Sequence, residues 1–174
     1  MSLARCFIGL GSNLATPKTQ LVAALNAIEK LVDTHIVRCS SFYSSQPMGP
    51  QDQPKYVNAV AEISTRLKPL ALLDELQKIE LQQGRQRKEE RWGPRTLDLD
   101  ILLIDSLVLD TPRLTVPHYG LKQREFVLYP LYEIAPDLVL PCGNSLLSVL
   151  DRVSKNGLSA IASDINWERN TQPN

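Results

Sequence analysis

Two aspartates two positions apart, Asp98 and Asp100, interrupt an apolar run at Leu97, Leu99 and Ile101. That alternation is the period of a β-strand, so both carboxylates project from one face with their Cα atoms roughly 6.6 Å apart. Unpartnered like charges that close repel, and burial would protonate one of them. A hard divalent cation removes the conflict. Mg²⁺ accepts one or two carboxylates, keeps several waters and takes its other oxygens from substrate phosphates. Arg85, Arg87, Lys88, Arg91 and Arg95 stand just before the strand. The planar arginine fork suits phosphate oxygens. Acid for metal beside base for phosphate points to phosphoryl or pyrophosphoryl transfer. The same residues admit a plainer reading, in which D-x-D is a solvated edge face and the mixed run 87–91 a solvated loop. Trp92, Gly93 and Pro94 in that loop favour the functional reading, since binding residues concentrate on loops held by a rigid scaffold.

Other side chains could join this chemistry. Asn58 can donate and accept together, as the lactam-like edge of a heterocycle requires, but a turn-closing asparagine would look the same. Gln77 and Glu80 share one helix face, as two plain surface polars also would. His118, with Tyr119 next to it and Arg124 six positions on, could reach a phosphate or hold a loop together.

The elements that must position them follow from periodicity. A first strand is expected over 3–11, with Gly9-Leu10-Gly11-Ser12 as a tight turn; the third glycine and acidic partner of a dinucleotide fingerprint are missing. Thr16-Pro17 starts a helix over 17–32, with Leu21, Leu25, Ile28 and Val32 on one face. A strand follows over 35–43, then a loop over 44–54 with three prolines and one glycine. Residues 56–65 alternate as a third strand. Residues 69–84 form a second helix, with Leu70, Leu73, Leu76 and Ile79 on one face and Gly84 as its stop. The arginine-rich loop 85–95 leads to the aspartate strand over 96–104, which turns at Asp105-Ser106 to make a hairpin with 107–109. A largely apolar helical stretch runs from Gly120 to Ala135, interrupted by Pro130 and ended by Pro136. A short helix is expected over 146–153, and the tail could dock through Ile161, Ile165 and Trp167.

Strand-helix-strand twice over is the pattern of a ferredoxin-like α+β fold, βαββαβ. Its antiparallel sheet carries both helices on one face, leaving the other for a site over which the loops 44–54 and 85–95 could close. At 174 residues one domain is expected. We set it at 1–155, with a tail over 156–174. The formal net charge is zero, so no bulk electrostatics favour nucleic acid or membrane. The ferredoxin-like fold also serves RNA recognition, but neither 57–64 nor 97–104 carries the paired aromatics that role uses. Three cysteines, Cys6, Cys39 and Cys142, lack metal-ligand spacing. With no apolar run near 18 residues and no signal peptide, a reducing cytoplasm fits the chain.

The block Arg91-Trp92-Gly93-Pro94-Arg95-Thr96-Leu97-Asp98-Leu99-Asp100, with Leu114-Thr115-Val116-Pro117-His118, resembles the signature of the 6-hydroxymethyl-7,8-dihydropterin pyrophosphokinase family. Gly11-Ser12-Asn13-Leu14, Gly49-Pro50-Gln51-Asp52-Gln53-Pro54 and Asn58 are similar to that family as well. The resemblance runs from about Leu3 to Pro141. It implies transfer of pyrophosphate from ATP to the hydroxymethyl group of a pterin, releasing AMP, by a monomer. Asp98 and Asp100 would hold two Mg²⁺ ions that bridge the ATP phosphates. Arg85 and Arg95 would neutralise charge on the transferred group. Arg87, His118, Tyr119 and Arg124 would contact the triphosphate, with Gln77, Glu80, Ile101 and Thr115 near base or sugar. Tyr56 and Phe126 would sandwich the pterin, Asn58 would bond its polar edge, Asp98 would reach it and Trp92 would cover it. Relatives carry Thr-Pro-Pro where this chain has Ser45-Gln46-Pro47-Met48, so Ser45, Gln46 and Met48 are the expected points of variation in the pterin pocket.

Overall fold

The computed structural model describes residues 2–13, 16–45, 56–84, 97–155 and 157–161. Expectations on Gln46, Met48, Arg85, Arg87, Trp92, Arg95 and the tail beyond residue 161 lie outside them, as does the side chain of Ser45.

Eight strands and four helices follow one another among the described residues: β1 (Ala4–Ser12), α1 (Pro17–Glu29), β2 (Thr34–Cys39), β3 (Tyr43–Ser45), β4 (Tyr56–Thr65), α2 (Pro69–Gly84), β5 (Leu97–Ile104), β6 (Leu109–Asp110), β7 (Thr115–Val116), α3 (Glu125–Ile134), α4 (Leu146–Leu150) and β8 (Ser159–Ala160). The main sheet is antiparallel in the order β5-β1-β4-β3-β8, with β2 also paired to β4. Its centre, β1 and β4, is buried on both faces. Cys6, Ile8 and Leu10 of β1, Val57, Ala59 and Ile63 of β4, and Leu97, Leu99 and Ile101 of β5 pack against Leu21, Leu25 and Ile28 of α1 and Leu72, Leu76 and Ile79 of α2. Burying each such Leu or Ile is worth about 1.5–3 kcal/mol.

The opposite face is divided. Phe7, Val60 and Leu102 form a second apolar cluster under Val127, Leu128, Leu131 and Ile134 of α3 and Leu146, Val149 and Leu150 of α4. That face is therefore half covered, and what it leaves for a site is its other half. Glu62 is buried in β4 and holds the covered half in place. Arg5 donates to it from Nε at 3.0 Å and Nη2 at 3.3 Å, and Arg38 Nε approaches at 3.5 Å. A buried carboxylate needs such partners. Arg38 Nη1 also donates to the Ile134 carbonyl at the end of α3, where a cation offsets the helix dipole.

Five expectations are corrected. The strand over 35–43 is two pieces, because Ser40 leaves the ladder: its Oγ accepts the Val60 N–H at 3.0 Å while its own N–H bonds the Val60 carbonyl. Gly9 and Gly11 lie inside β1 rather than in a turn. The hairpin of 97–104 with 107–109 does not form. Asp105 takes φ 46° and its Oδ1 accepts the Arg5 N–H, which steers the chain off β5, and β6 pairs with β7 instead. Pro130 sits within α3 without interrupting it. Its missing N–H costs about 3 kcal/mol, and burial of Val127, Leu128, Leu131 and Ile134 exceeds that. The helix starts at Glu125 rather than Gly120, because His118 holds the preceding turn: its Nδ1 accepts the Gly120 N–H and its carbonyl the Leu121 N–H.

The last described residues join the sheet through β8 on β3, and the Ile161 N–H reaches the Phe42 carbonyl at 2.8 Å. No described helix is long and apolar enough to cross a membrane.

Candidate active site

The open half of the sheet face is built on two glycines. Gly11 of β1 pairs with Asn58 of β4 on one side and Asp98 of β5 on the other. Gly9 pairs with Asp100 in the same way. Paired residues share a face, and neighbouring strands lie about 4.8 Å apart, so the Asn58 and Asp98 backbones stand about 9.6 Å apart across Gly11, which adds no side chain of its own. That position must be bare. A Cβ on Gly11 would lie 2.7 Å from Asn58 Oδ1, and one on Gly9 would lie 3.3 Å from Leu102 Cδ2. The absence of a side chain at Gly11 lets the Asn58 amide lean across the strand, with Tyr56 beside it, where it can meet the polar edge of a planar heterocycle. The signal was present in the sequence as two glycines one residue apart in an apolar run.

Asn58 is buried and polar, the condition in which an amide needs defined partners. Tyr56, two residues before it, shares its face and is half-buried; its ring edge comes 4.0 Å from where a Gly11 Cβ would sit. Ser45 pairs with Tyr56 through the backbone. Phe126, at the start of α3, packs on the second apolar cluster.

Asp98 and Asp100 are both partly exposed, between the buried Leu97, Leu99 and Ile101. They stand on one face of the outermost strand. His118 approaches Asp100, with Nε2 4.0 Å from Oδ2. Because Nδ1 accepts the Gly120 N–H at 3.0 Å, the neutral imidazole carries its proton on Nε2, the nitrogen directed at the carboxylate side. Burial lowers the His118 pKa below its ordinary 6.5; Asp100 opposes that shift and Arg124 adds to it. Glu80 of α2 reaches round the strand edge, and its Oε2 accepts the Leu99 N–H at 2.8 Å. Burial raises the Glu80 pKa. The Leu99 bond opposes this, and the charges of Asp98 and Asp100 raise it further.

A second cluster lies beside His118. The imidazole stacks on Tyr119 with ring centroids 4.6 Å apart. The Arg124 guanidinium lies 5.2 Å from the Tyr119 ring centre and 5.7 Å from that of Phe126, and Nη2 is 3.3 Å from the Tyr119 hydroxyl. Gly120 makes room for it, since a Cβ there would meet Arg124 Nε at 2.5 Å.

Gln77 is exposed and its Oε1 accepts from Arg113 Nη2 at 3.3 Å; the same Nη2 bonds Asp74 at 2.6 Å. Thr115 is exposed and donates to Asp110 at 3.4 Å. Ile101 is 2% exposed, within the core on the α2 side. Arg113 is a cation that the sequence analysis did not single out.

Among the described residues no three acidic, imidazole or thiol groups form a ready metal cage. Two partly exposed carboxylates on one face of β5 are a hard oxygen donor set that fits Mg²⁺ supplemented by phosphate oxygens, and does not fit a closed structural site.

Comparison with known proteins decides the family. Residues 7–136 match the family model of 7,8-dihydro-6-hydroxymethylpterin-pyrophosphokinase (HPPK). The chain belongs to this family. A 2-amino-4-hydroxy-6-hydroxymethyldihydropteridine pyrophosphokinase of Haemophilus influenzae is 64% identical over 135 residues, 78% of this chain and 84% of the relative. The Pseudomonas aeruginosa protein of the same name is 54% identical over 157 residues, 90% of this chain and 96% of the relative. Among solved structures, a Plasmodium falciparum HPPK-DHPS matches with a TM-score of 0.69 at 13% identity, over 86% of this chain. The chain spans 43% of the length of that protein, and the likeness speaks for the fold alone.

Proposed function

We propose that this HPPK-family protein transfers the pyrophosphoryl group of ATP to the hydroxymethyl group of 6-hydroxymethyl-7,8-dihydropterin, and that it does so on the open half of the sheet. The observation that carries the reading is the row Asn58–Gly11–Asp98 across three strands. It offers a hydrogen-bonding amide, a bare backbone position and a carboxylate in line. The pterin sits edge-on over the Gly11 backbone, with its polar edge on Asn58 and its two faces towards Tyr56 and Phe126, where aromatic rings suit a heteroaromatic one. Its hydroxymethyl group then points to the aspartates.

Asp98 and Asp100 would hold Mg²⁺, two ions with ATP bound. Bound there, the metal would supply positive charge to offset that on the phosphate oxygens. His118 offers its Nε2–H to phosphate oxygen in neutral form, and Arg124, braced on Tyr119, adds a charge-assisted donor. Gln77, Ile101 and Thr115 are assigned to the nucleotide side. Arg85, Arg87, Arg95, Trp92, Ser45, Gln46 and Met48 keep the roles that the resemblance implies. In the transfer the hydroxymethyl oxygen bonds the β-phosphorus as the bond to the oxygen bridging α and β breaks. The alcohol proton departs and AMP is released.

We read the strand order β5-β1-β4, completed by β2 and β3 and crossed by α1 and α2, as a ferredoxin-like core to which α3 and α4 are added. Residues 1–155 form the catalytic unit and 156–174 its tail, in a monomer of the cytoplasm. Purified protein with ATP, Mg²⁺ and the pterin should release AMP in step with pterin consumed. Release of ADP would refute the proposal.

A further inference from the structure

β5 is the outermost strand of the sheet, so one of its edges has no strand partner among the described residues. The N–H of Leu99 faces that edge. An edge donor of this kind is left to water or taken by a covering group. Here Glu80, half-buried near the end of α2, takes it at 2.8 Å. The peptide group it grips is the one that joins Asp98 to Leu99. It lies between the two carboxylates, and on the other side β1 fixes Asp98 opposite Gly11 and Asp100 opposite Gly9.

We propose that Glu80 is a positioning residue for the aspartate pair: by holding the peptide after Asp98 it sets the orientation in which Asp98 and Asp100 receive a divalent cation. This moves Glu80 from the nucleotide, where the family resemblance placed it, to the strand that carries the metal ligands. A carboxylate accepts a backbone N–H more strongly than a neutral oxygen does, and groups that orient metal ligands from behind tune the affinity for the ion. The proposal rests on the reading that Asp98 and Asp100 hold the metal.

The test is Mn²⁺ affinity, read by electron paramagnetic resonance on the full chain with a non-hydrolysable ATP analogue. Glu80→Ala should weaken Mn²⁺ binding by about 10–100-fold. Glu80→Gln, whose amide oxygen can still accept the Leu99 N–H, should restore most of it. In the unaltered protein the Leu99 amide should exchange slowly with deuterium although it lies on a sheet edge. Unchanged Mn²⁺ affinity in Glu80→Ala, equal losses in Ala and Gln, or fast Leu99 exchange would each overturn the proposal. If Glu80→Ala does not fold, the Gln variant and the exchange rate decide. Asp98→Asn is the control: retained Mn²⁺ binding there would refute the metal reading itself, separately from the role of Glu80.

Discussion

Gly11→Ala is the substitution whose consequence follows most directly from the geometry. The new methyl carbon would stand 2.7 Å from Asn58 Oδ1, where ordinary contact begins at 3.4 Å. Something must yield by about 0.7 Å. The backbone of Gly11 is held on both sides, by Asn58 of β4 and Asp98 of β5, so the Asn58 amide is the part free to swing. Overpacking of this kind costs about 1–3 kcal/mol, which leaves the protein folded but measurably less stable. For the reaction the cost is larger. A reacting geometry misplaced by about 1 Å can lose about 10²-fold in rate, or about 2.7 kcal/mol. The assay pairs pterin affinity, measured by fluorescence with a non-hydrolysable ATP analogue present, with kcat/KM for the pterin. Both should fall by about 10²-fold, while affinity for the nucleotide alone falls by less, because the overlap created at Gly11 is with Asn58 and not with Asp98. Pterin affinity and turnover within twofold of the parent would show that the bare position beside Asn58 does not matter.

Two further outcomes follow from the titratable groups. His118 is held below its ordinary 6.5 chiefly by burial, so the folded state resists its protonation. Its contribution to stability is therefore present above about pH 6.5 and is lost as pH falls through the folded value. Nuclear magnetic resonance of its imidazole should give a midpoint below 6.5, and a midpoint at or above 6.5 would contradict the assignment. The thiols of Cys6 and Cys39 are pushed up to about 12 by burial. That of Cys142, exposed beside the Asn144 backbone N–H and Lys122, is lowered. Since the thiolate is the nucleophile, brief alkylation at pH 8 followed by mass spectrometry should modify Cys142 first. Earlier modification of Cys6 would contradict the burial described.

The elements that read correctly from the sequence are those whose local pattern and packing agree. α2 runs over Pro69–Gly84 and β4 over Tyr56–Thr65, as their periods of 3.6 and 2 predict. The same period puts Asp98 and Asp100 together on one face. The errors arise where a tertiary partner overrides a local signal. Glycines usually announce a turn, but Gly9 and Gly11 stay in β1 because β4 and β5 pair with them on both sides. Pro130 usually ends a helix, but α3 continues because its flanks are buried against Phe7, Val60 and Leu102. Ser40 reads as an ordinary strand residue until its hydroxyl is seen to take the Val60 N–H. Nor does spacing along α2 reveal that Glu80 meets Leu99, a contact between residues nineteen apart that depends on how the helix packs across the strand edge.

The central claim is that a pyrophosphoryl group, rather than a single phosphoryl group, crosses from nucleotide to pterin. ATP labelled with ³²P at the β-phosphorus tests it in one measurement, with Mg²⁺ and the hydroxymethyl pterin present and the products separated by chromatography. The account predicts that the label leaves the nucleotide and appears on the pterin. Label retained in ADP, with the pterin carrying phosphate from the γ position alone, would contradict it.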